Sequence, residues 1–164
     1  MSSFVSQGVN YAVKPEANWK AVLECAAMEV FSMMAGAELT RFTDEPGQPH
    51  GEQTAMVGMA GALCGMLTIR CTSATAEKLA GMMLSGEAAL NPSVIGDAMG
   101  ELCNMYAGNF KSKISTLADH CMLSVPTVIW GEDYFMQTVQ PNAGFQFALS
   151  FEGEPVWFSL VIHA

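Results

Sequence analysis

The feature that most constrains the fold of this chain is a long amphipathic helix that is predicted to begin at Asn91. Asn91 is a favourable N-cap, and Pro92 suits the first helical position, where its missing N–H costs nothing. The helix should continue to about Leu117. One side of it is apolar along its length: Met99, Leu102, Tyr106, Phe110, Ile114 and Leu117. Such a helix must bury this side against another apolar layer.

The layer that can cover it is a β-sheet. Four segments after the helix are rich in β-branched and aromatic residues and predict strands: Met122–Trp130, Tyr134–Gln140, Phe145–Phe151 and Val156–His163. The third segment alternates cleanly, which places its phenylalanines on one face. The turn Glu152-Gly153-Glu154-Pro155 can join it to the fourth as a hairpin.

The first half of the chain predicts similar elements. They are a helix over Glu16–Ala37, an exposed loop over Arg41–Glu52, strands over Ala55–Gly61 and Ala62–Cys71, and a helix over Ala74–Leu84, capped by Thr72 or Ser73 and ended by Gly86. The predicted fold class is therefore α+β, an antiparallel sheet with helices packed on one face.

Length and charge narrow the possible roles. The 164 residues suit a single domain, 1–164, in which residues 1–14 form an N-terminal arm of uncertain structure. A net charge of −9 disfavours nucleic acid and anionic membrane surfaces as partners. Neither a signal peptide nor a membrane-spanning segment is recognisable, so we expect the protein in the cytoplasm.

The cysteines and histidines do not predict a metal site. Five cysteines stand at positions 25, 64, 71, 103 and 121, mostly in apolar runs and without a Cys-x-x-Cys pair. We interpret them as reduced core residues. The three histidines are far apart in sequence, so a metal bound by this chain itself is not expected.

The chain also contains a weak internal repeat. Glu24-Cys25-Ala26-Ala27-Met28 in the first helix resembles Glu101-Leu102-Cys103-Asn104-Met105 in the long helix. The segment from Gly61 to Ile69 resembles that from Gly153 to Ile162. If the repeat is real, the second half has Asn104 where the first has Ala27.

The candidate chemistry lies on the polar side of the long helix. Asp97, Glu101, Asn104, Gly108 and Lys111 follow one another at spacings of four, three, four and three, which aligns them in one stripe. A solvated helix face is the simplest explanation. However, an asparagine and a glycine are poor helix formers, with Gly108 costing about 1 kcal/mol relative to alanine. A glycine there leaves room for another molecule to approach.

Glu101 and Asn104 could act on a second molecule. No serine or cysteine with a nearby histidine accompanies them, so they do not form a nucleophile with its base. A carboxylate can instead hold a cation, and a carboxamide can orient a water molecule because it both donates and accepts hydrogen bonds. Water positioning of this kind recurs in phosphoryl hydrolysis. The sequence contains no glycine-rich phosphate loop, so no nucleotide cofactor is expected.

The motif resembles a known family. Gly100-Glu101-Leu102-Cys103-Asn104-Met105, preceded by Asp97 and followed by Pro126 in Ser124-Val125-Pro126-Thr127-Val128-Ile129, is similar to the signature of the CheC/CheX/FliY phosphatases of bacterial chemotaxis. The similarity is greatest to CheX and extends from about Gly61 to about Tyr134. Ala27 in the first helix matches the single-motif CheX type rather than the double-motif CheC type.

The resemblance implies a partner and an activity. It implies that the chain removes the phosphoryl group from the aspartate of a CheY-like response regulator, whose Mg²⁺ belongs to the regulator. Glu101 would pair with the regulator's lysine and Asn104 would place the attacking water. Asp97, Gly108 and Lys111 would contact the partner, with Asp97 in a supporting role.

The resemblance also implies a homodimer, and the exposed edge expected at the C-terminal strands is compatible with one. The sequence also allows two alternative hypotheses. The chain could be a binding module that holds a phosphorylated regulator without hydrolysis, as relatives at the flagellar switch do. It could also be an oligomeric scaffold, which would leave Glu101 and Asn104 without a role.

Overall fold

The chain forms a layer of helices on a seven-stranded sheet. The computed structural model describes residues 15–44, 46–85, 90–132, 134–137 and 143–163. The helices in these residues are α1 (Trp19–Ala35), α2 (Ser73–Met83), α3 (Pro92–Lys113) and α4 (Ser115–Ala118). The strands are β1 (Leu39–Arg41), β2 (Gln53–Gly61), β3 (Cys64–Cys71), β4 (Cys121–Leu123), β5 (Thr127–Trp130), β6 (Ala143–Phe151) and β7 (Glu154–His163). Among the described helices, none has the length and apolar character needed to cross a membrane.

All strand pairs in the sheet are antiparallel. The order is β1-β6-β7-β3-β2-β4, and β5 also pairs with β2. Helices α1 and α3 pack against each other and cover one face, and α2 contacts both of them. This confirms the predicted α+β class. The predicted arm over residues 1–14 and the expected helix stop at Gly86 lie outside the described residues.

An aromatic cluster joins the helices to the sheet. Phe158 in the central strand β7 is fully buried, and its ring lies 5.3 Å from the Tyr106 ring of α3 and 5.6 Å from the Phe31 ring of α1, measured between centroids. Both contacts are edge-on, the geometry that aromatic pairs favour. Phe147 of β6 stacks on Phe158 at 5.3 Å. The cluster fixes which side of each long helix faces the sheet.

Helix α3 begins where the sequence predicts. The Asn91 side chain accepts a hydrogen bond from the Val94 N–H at 3.0 Å, and Pro92 opens the helix. The helix ends at Lys113 rather than at Leu117, because Ile114 adopts an extended conformation (φ −110°, ψ 106°) before the short helix α4 starts. The predicted apolar side is correct, with Leu117 buried from α4.

The single strand predicted over Met122–Trp130 is wrong, because two short strands, β4 and β5, occupy this segment. Three residues between them, 124–126, lie opposite two residues of β2, which makes a bulge. The Gly58 N–H donates to the Ser124 hydroxyl at 2.8 Å, so a side chain replaces the ladder bond there. Pro126 lacks the N–H that a continuous ladder would need.

The strand predicted over Tyr134–Gln140 is also wrong where it can be checked. Residues 134–137 are not in a strand, and 138–140 lie outside the described residues. Side chains hold the segment instead. The Arg70 guanidinium lies 4.4 Å from the centre of the Tyr134 ring and donates to the Tyr134 carbonyl at 3.3 Å. The Tyr134 hydroxyl also hydrogen-bonds the Thr54 hydroxyl.

The other predicted elements agree with the structure to within three residues at each end, whereas strand β1 and helix α4 were not predicted as separate elements. The Thr72 hydroxyl caps α2 by accepting from the Thr75 N–H at 3.2 Å. Strands β6 and β7 form the predicted hairpin through a two-residue turn, Glu152-Gly153, with φ of 52° and 87°. Positive φ at both positions is typical of a type I′ turn. Strand β1 extends to Arg41, the first residue of the predicted loop.

The sheet order supports the internal repeat. Strands β3 and β7 lie side by side at the centre, and the hairpins β2–β3 and β6–β7 extend outward from them in opposite directions. The short strand that follows α1 pairs with β6, and the short strands that follow α3 pair with β2. Each half therefore contributes a helix, a short strand and a hairpin in the same order, and each short strand joins the other half's hairpin.

The cysteines only partly match the prediction of core thiols. Cys71, Cys103 and Cys121 are buried, whereas Cys25 and Cys64 are exposed, so the interpretation is wrong for these two. Cys25 lies on the solvent side of α1, and Cys64 begins β3 next to the β2–β3 turn. Burial raises the pKa of Cys71 and of Cys103 to about 12.

Thiol labelling tests this distribution. We expect iodoacetamide at about pH 8 to modify Cys25 and Cys64 in the folded protein, because only a thiolate reacts and the pKa of Cys71 and Cys103 is about 12. Peptide mass mapping identifies the labelled sites. Labelling in denaturant, where all thiols should react, is the control. Rapid modification of Cys103 in the native protein would contradict the packing of α3.

Candidate functional site

Helix α3 has one side in the core and one side toward solvent. Leu102, Tyr106 and Phe110 are fully buried. On the opposite side Asp97 and Glu101 are exposed, as the stripe predicts, and Gly108 and Lys111 are half-buried.

The helical spacing predicts that Glu101 and Asn104 are both solvent-exposed; this is correct for Glu101, but Asn104 is half-buried. It shares its side of the helix with Gly100 and Ala107, one turn before and one turn after it, and both are buried. Asn104 therefore lies at the border between the buried and the exposed sides of α3.

A groove of about 670 Å³ lies between the first half of α3 and the bulged segment that leads into β5. It is lined by Pro92, Ser93, Gly96, Asp97, Gly100 and Glu101 from the helix, and by Val125, Pro126, Val128 and Trp130 from the strand side. The helix wall carries two carboxylates, and the strand wall is entirely apolar.

Two glycines let the strand side approach the helix. A Cβ atom on Gly96 would lie 2.8 Å from Cζ3 of Trp130, and one on Gly100 would lie 3.4 Å from Cβ of Pro126. Sequence reasoning missed this pair, although their spacing of four places them on one helix side. Gly108 differs from them, because an added Cβ would meet nothing within 4 Å. The space expected beside Gly108 is therefore present.

The charged groups of α3 divide into two sets. Near its C-terminal end, Lys113 Nζ lies 2.9 Å from the Glu29 carboxylate of α1, and Asn109 donates to the same carboxylate at 3.3 Å. These two hydrogen bonds, the one from Lys113 above all, lower the pKa of Glu29. Within the described part of the chain, Asp97 and Glu101 have no such cation, and the Asn104 carboxamide has no hydrogen-bond partner. Their polar atoms are available to another molecule.

The arrangement limits the chemistry that this chain can perform alone. Over the described ranges, no group of three or more His, Cys, Asp or Glu side chains is placed to hold a metal ion. A carboxylate and a carboxamide one turn apart can bind a cation and orient a water molecule. If the oriented water molecule acts as a nucleophile, the electrophilic group that it attacks has to come from a second molecule.

Comparison with known proteins identifies the family. Residues 53–150, more than half of the chain, match the family described as chemotaxis phosphatase CheX. The chain belongs to the CheX family. The match includes α3, the bulge and the whole lining of the groove.

Individual relatives agree with this assignment. The CheY-P phosphatase CheX of Thermotoga maritima is 35% identical over 92 residues, which span about half of each protein: 52% of this chain and 55% of the relative. The crystal structure of a chemotaxis protein CheX from Desulfovibrio desulfuricans superimposes with a TM-score of 0.76 at 21% identity, covering 89% of this chain and 99% of that one.

A third relative was solved with a partner. The CheX–CheY–BeF₃–Mg²⁺ complex from Borrelia burgdorferi contains a chain that matches with a TM-score of 0.75 at 18% identity, covering 91% of this chain and 100% of that one. At this identity the comparison establishes the shared fold. The CheX fold of this chain therefore extends well beyond the segment that matches by sequence.

Two glycines of α3, Gly96 in the groove and Gly108 outside it, provide a test of the packing against Trp130. We expect Gly108→Ala to raise the free energy of unfolding by about 1 kcal/mol, because alanine favours the helix and the added methyl meets open space. Gly96→Ala gains the same helix propensity but pushes against the Trp130 ring, so it should be less stable than Gly108→Ala by about 1 kcal/mol. Urea unfolding measures both. Equal stabilisation by the two variants would show that Trp130 does not rest on Gly96.

Proposed function

We propose that this protein is a cytoplasmic phosphatase that hydrolyses the aspartyl phosphate of a CheY-like response regulator. The observation that carries the proposal is a pair of side chains, Glu101 and Asn104, on the outer side of α3 within a CheX-family domain, neither of which has a polar partner among the described residues. The activity named for the Thermotoga maritima relative supports it. In this proposal residues 1–164 form one functional domain.

Glu101 is the docking residue. Its carboxylate is exposed at the mouth of the groove, and the described part of the chain offers it no cation. A lysine of the regulator's active site is the natural partner, since the pair would form in a partly desolvated interface where charge-assisted hydrogen bonds are stronger than in water.

Asn104 is the catalytic residue. Its carboxamide accepts a hydrogen bond from the attacking water and donates one to a phosphoryl oxygen, so that the water oxygen faces the phosphorus in line with the bond to aspartate. The water oxygen bonds to phosphorus, the aspartyl O–P bond breaks, and the products are inorganic phosphate and a free carboxylate. The regulator supplies the Mg²⁺ that neutralises the developing charge. The Mg²⁺ present in the Borrelia burgdorferi CheX–CheY complex supports this division.

Three further residues of the stripe contact the partner. Asp97 lines the groove one turn before Glu101 and adds negative charge beside the expected lysine. Gly108 leaves open space one turn after Asn104, which allows the regulator's backbone to approach the helix closely. Lys111, half-buried one turn further on, lies at the end of the same stripe.

The second candidate is a binding module that holds the phosphorylated regulator without hydrolysing it. Asn104 favours the enzyme, because a docking residue alone would need only Glu101. The two functions differ in one measurable respect, since a binding module would protect the phosphoryl group and a phosphatase removes it.

We also propose that the protein is a homodimer. Strand β6 pairs with β1 only over Leu149–Phe151, so the outer edge of its residues 143–148 has no strand partner in the part of the chain that is described. An edge of this length can pair with a second chain. Strand β7 has partners on both sides and cannot take this role.

The role of Asn104 predicts a loss of activity without a loss of stability. Asn104→Ala should slow catalysed dephosphorylation by roughly 10² to 10³, the cost of one positioned polar contact in a transition state. Its thermal unfolding should match or exceed that of the parent, because alanine favours the helix. The control is Asn109→Ala, which removes an asparagine of the same helix that bonds Glu29 instead. Full activity in Asn104→Ala would exclude the mechanism, and unfolding would assign Asn104 a structural role.

Glu101 predicts a different defect. Glu101→Ala should raise KM for the phosphorylated regulator by about tenfold or more while the rate recovers at high regulator concentration, because the lysine contact serves binding. Initial rates over a range of regulator concentrations separate KM from kcat. An unchanged KM with a reduced kcat would assign Glu101 to the chemical step.

Light scattering tests the dimer. We expect a mass of about twice the 17.5 kDa of one chain at micromolar concentration. Replacing Gln146 on the unpaired edge with proline should shift the mass toward the monomer, because proline cannot donate to a ladder. A parent protein that runs at 17.5 kDa would refute the proposal.

A further inference from the structure

We propose that the apolar wall of the groove, formed by Val125, Pro126, Val128 and Trp130, binds an apolar side chain next to the regulator's lysine and so strengthens binding of the regulator. This inference rests on the proposed function. It adds a second contact beside the stripe on α3: the strand wall supplies affinity, and Asn104 supplies the chemistry.

Two apolar side chains of this wall are exposed to solvent. Val125 is 85% exposed and Trp130 is 49% exposed, although both are large apolar residues. Each lines the groove across from the carboxylates of Asp97 and Glu101. Apolar residues that are gathered in a concave surface with a few polar groups are typical of binding sites, whereas scattered ones are not.

The apolar wall is held in place by the rest of the fold, without a partner. Trp130 lies over Gly96 and Pro126 lies over Gly100, so both side chains rest on helix backbone. The bulge that carries Val125 is tied to β2 in both directions, because the Ser124 N–H donates to the Gly58 carbonyl at 2.9 Å and its hydroxyl accepts from the Gly58 N–H. A preformed surface loses little conformational entropy when a partner binds.

The helix wall of the groove, opposite the apolar wall, is negatively charged. Asp97 and Glu101 are four residues apart, which is a rise of about 6 Å along the helix axis. Both line the groove on the side opposite the apolar wall. A segment that fits must therefore present a lysine or arginine on one side and an apolar side chain on the other. An acidic peptide or a nucleic acid would be repelled.

The net charge of the chain also favours binding through short-range contacts. At −9 the protein exerts long-range attraction only on a basic partner, so affinity for a regulator without net positive charge has to come from short-range contacts. The contacts proposed for the stripe on α3 are made by polar residues and a glycine, which supply little apolar area. The apolar wall supplies the area that these contacts lack.

Binding to the activated regulator tests the inference. The probe is the CheY-type regulator of the same organism, loaded with beryllium fluoride and Mg²⁺, and its Kd is measured by calorimetry. Val125→Ser should raise the Kd by about tenfold, as for an apolar interface residue that becomes buried. The matched control is Met122→Ser, since Met122 is 77% exposed but does not line the groove. It should leave the Kd unchanged.

A second variant alters the same wall from the helix side, by displacing Trp130. Gly96→Ala pushes the Trp130 ring away from the helix without changing any exposed residue, so it should also raise the Kd while the helix remains folded by circular dichroism. Gly108→Ala is not a suitable control here, because Gly108 belongs to the proposed contact.

The outcomes separate the two proposals. If the parent binds and dephosphorylates the regulator but Val125→Ser and Gly96→Ala bind like Met122→Ser, the apolar wall is outside the interface and this inference fails alone. If the parent neither binds nor dephosphorylates the regulator, the proposed function fails as well. A selective loss in Val125→Ser, with a rate that recovers as regulator concentration rises, supports the inference.

Discussion

The packing of Phe158 against both long helices is the interaction on which the rest of the structure depends. Its ring contacts Tyr106 on α3 and Phe31 on α1 from the central strand of the sheet. Because Tyr106 is fully buried there, α3 cannot rotate about its axis, and the opposite side of the helix must face solvent. The positions of Glu101 and Asn104 therefore follow from an aromatic contact in the core.

The two halves of the sheet share a plan but differ in their helices. In α1, the position that corresponds to Asn104 is Ala27, which is fully buried, and the position that corresponds to Glu101 is Glu24. The Glu24 carboxylate accepts a hydrogen bond from Arg41 at 2.8 Å, so it already has a cation. In α3 the equivalent carboxylate has none within the described residues. Within the described residues, the available pair of polar side chains on α3 therefore has no counterpart on α1.

Sequence patterns predicted the parts of this structure that local chemistry determines. The cap at Asn91 and the buried side of α3 follow from residue types at helical spacing, and these two features place the stripe that carries Glu101. The groove could not be predicted in the same way. It depends on the bulge that Pro126 and Ser124 introduce opposite β2, and on the fit of Trp130 against Gly96, both of which bring together residues far apart in the chain. A continuous strand, as predicted for this segment, would have no bulge at the groove.

The most direct measurement of the account is the fate of the phosphoryl group when phosphorylated regulator is mixed with a small molar fraction of the purified protein. We expect all of the regulator to lose its label, faster than by the regulator's own hydrolysis, with inorganic phosphate as the product. Turnover beyond one equivalent would show that the protein acts as a catalyst. A regulator that binds the protein and keeps its label, or loses it at the unassisted rate, would contradict the central claim.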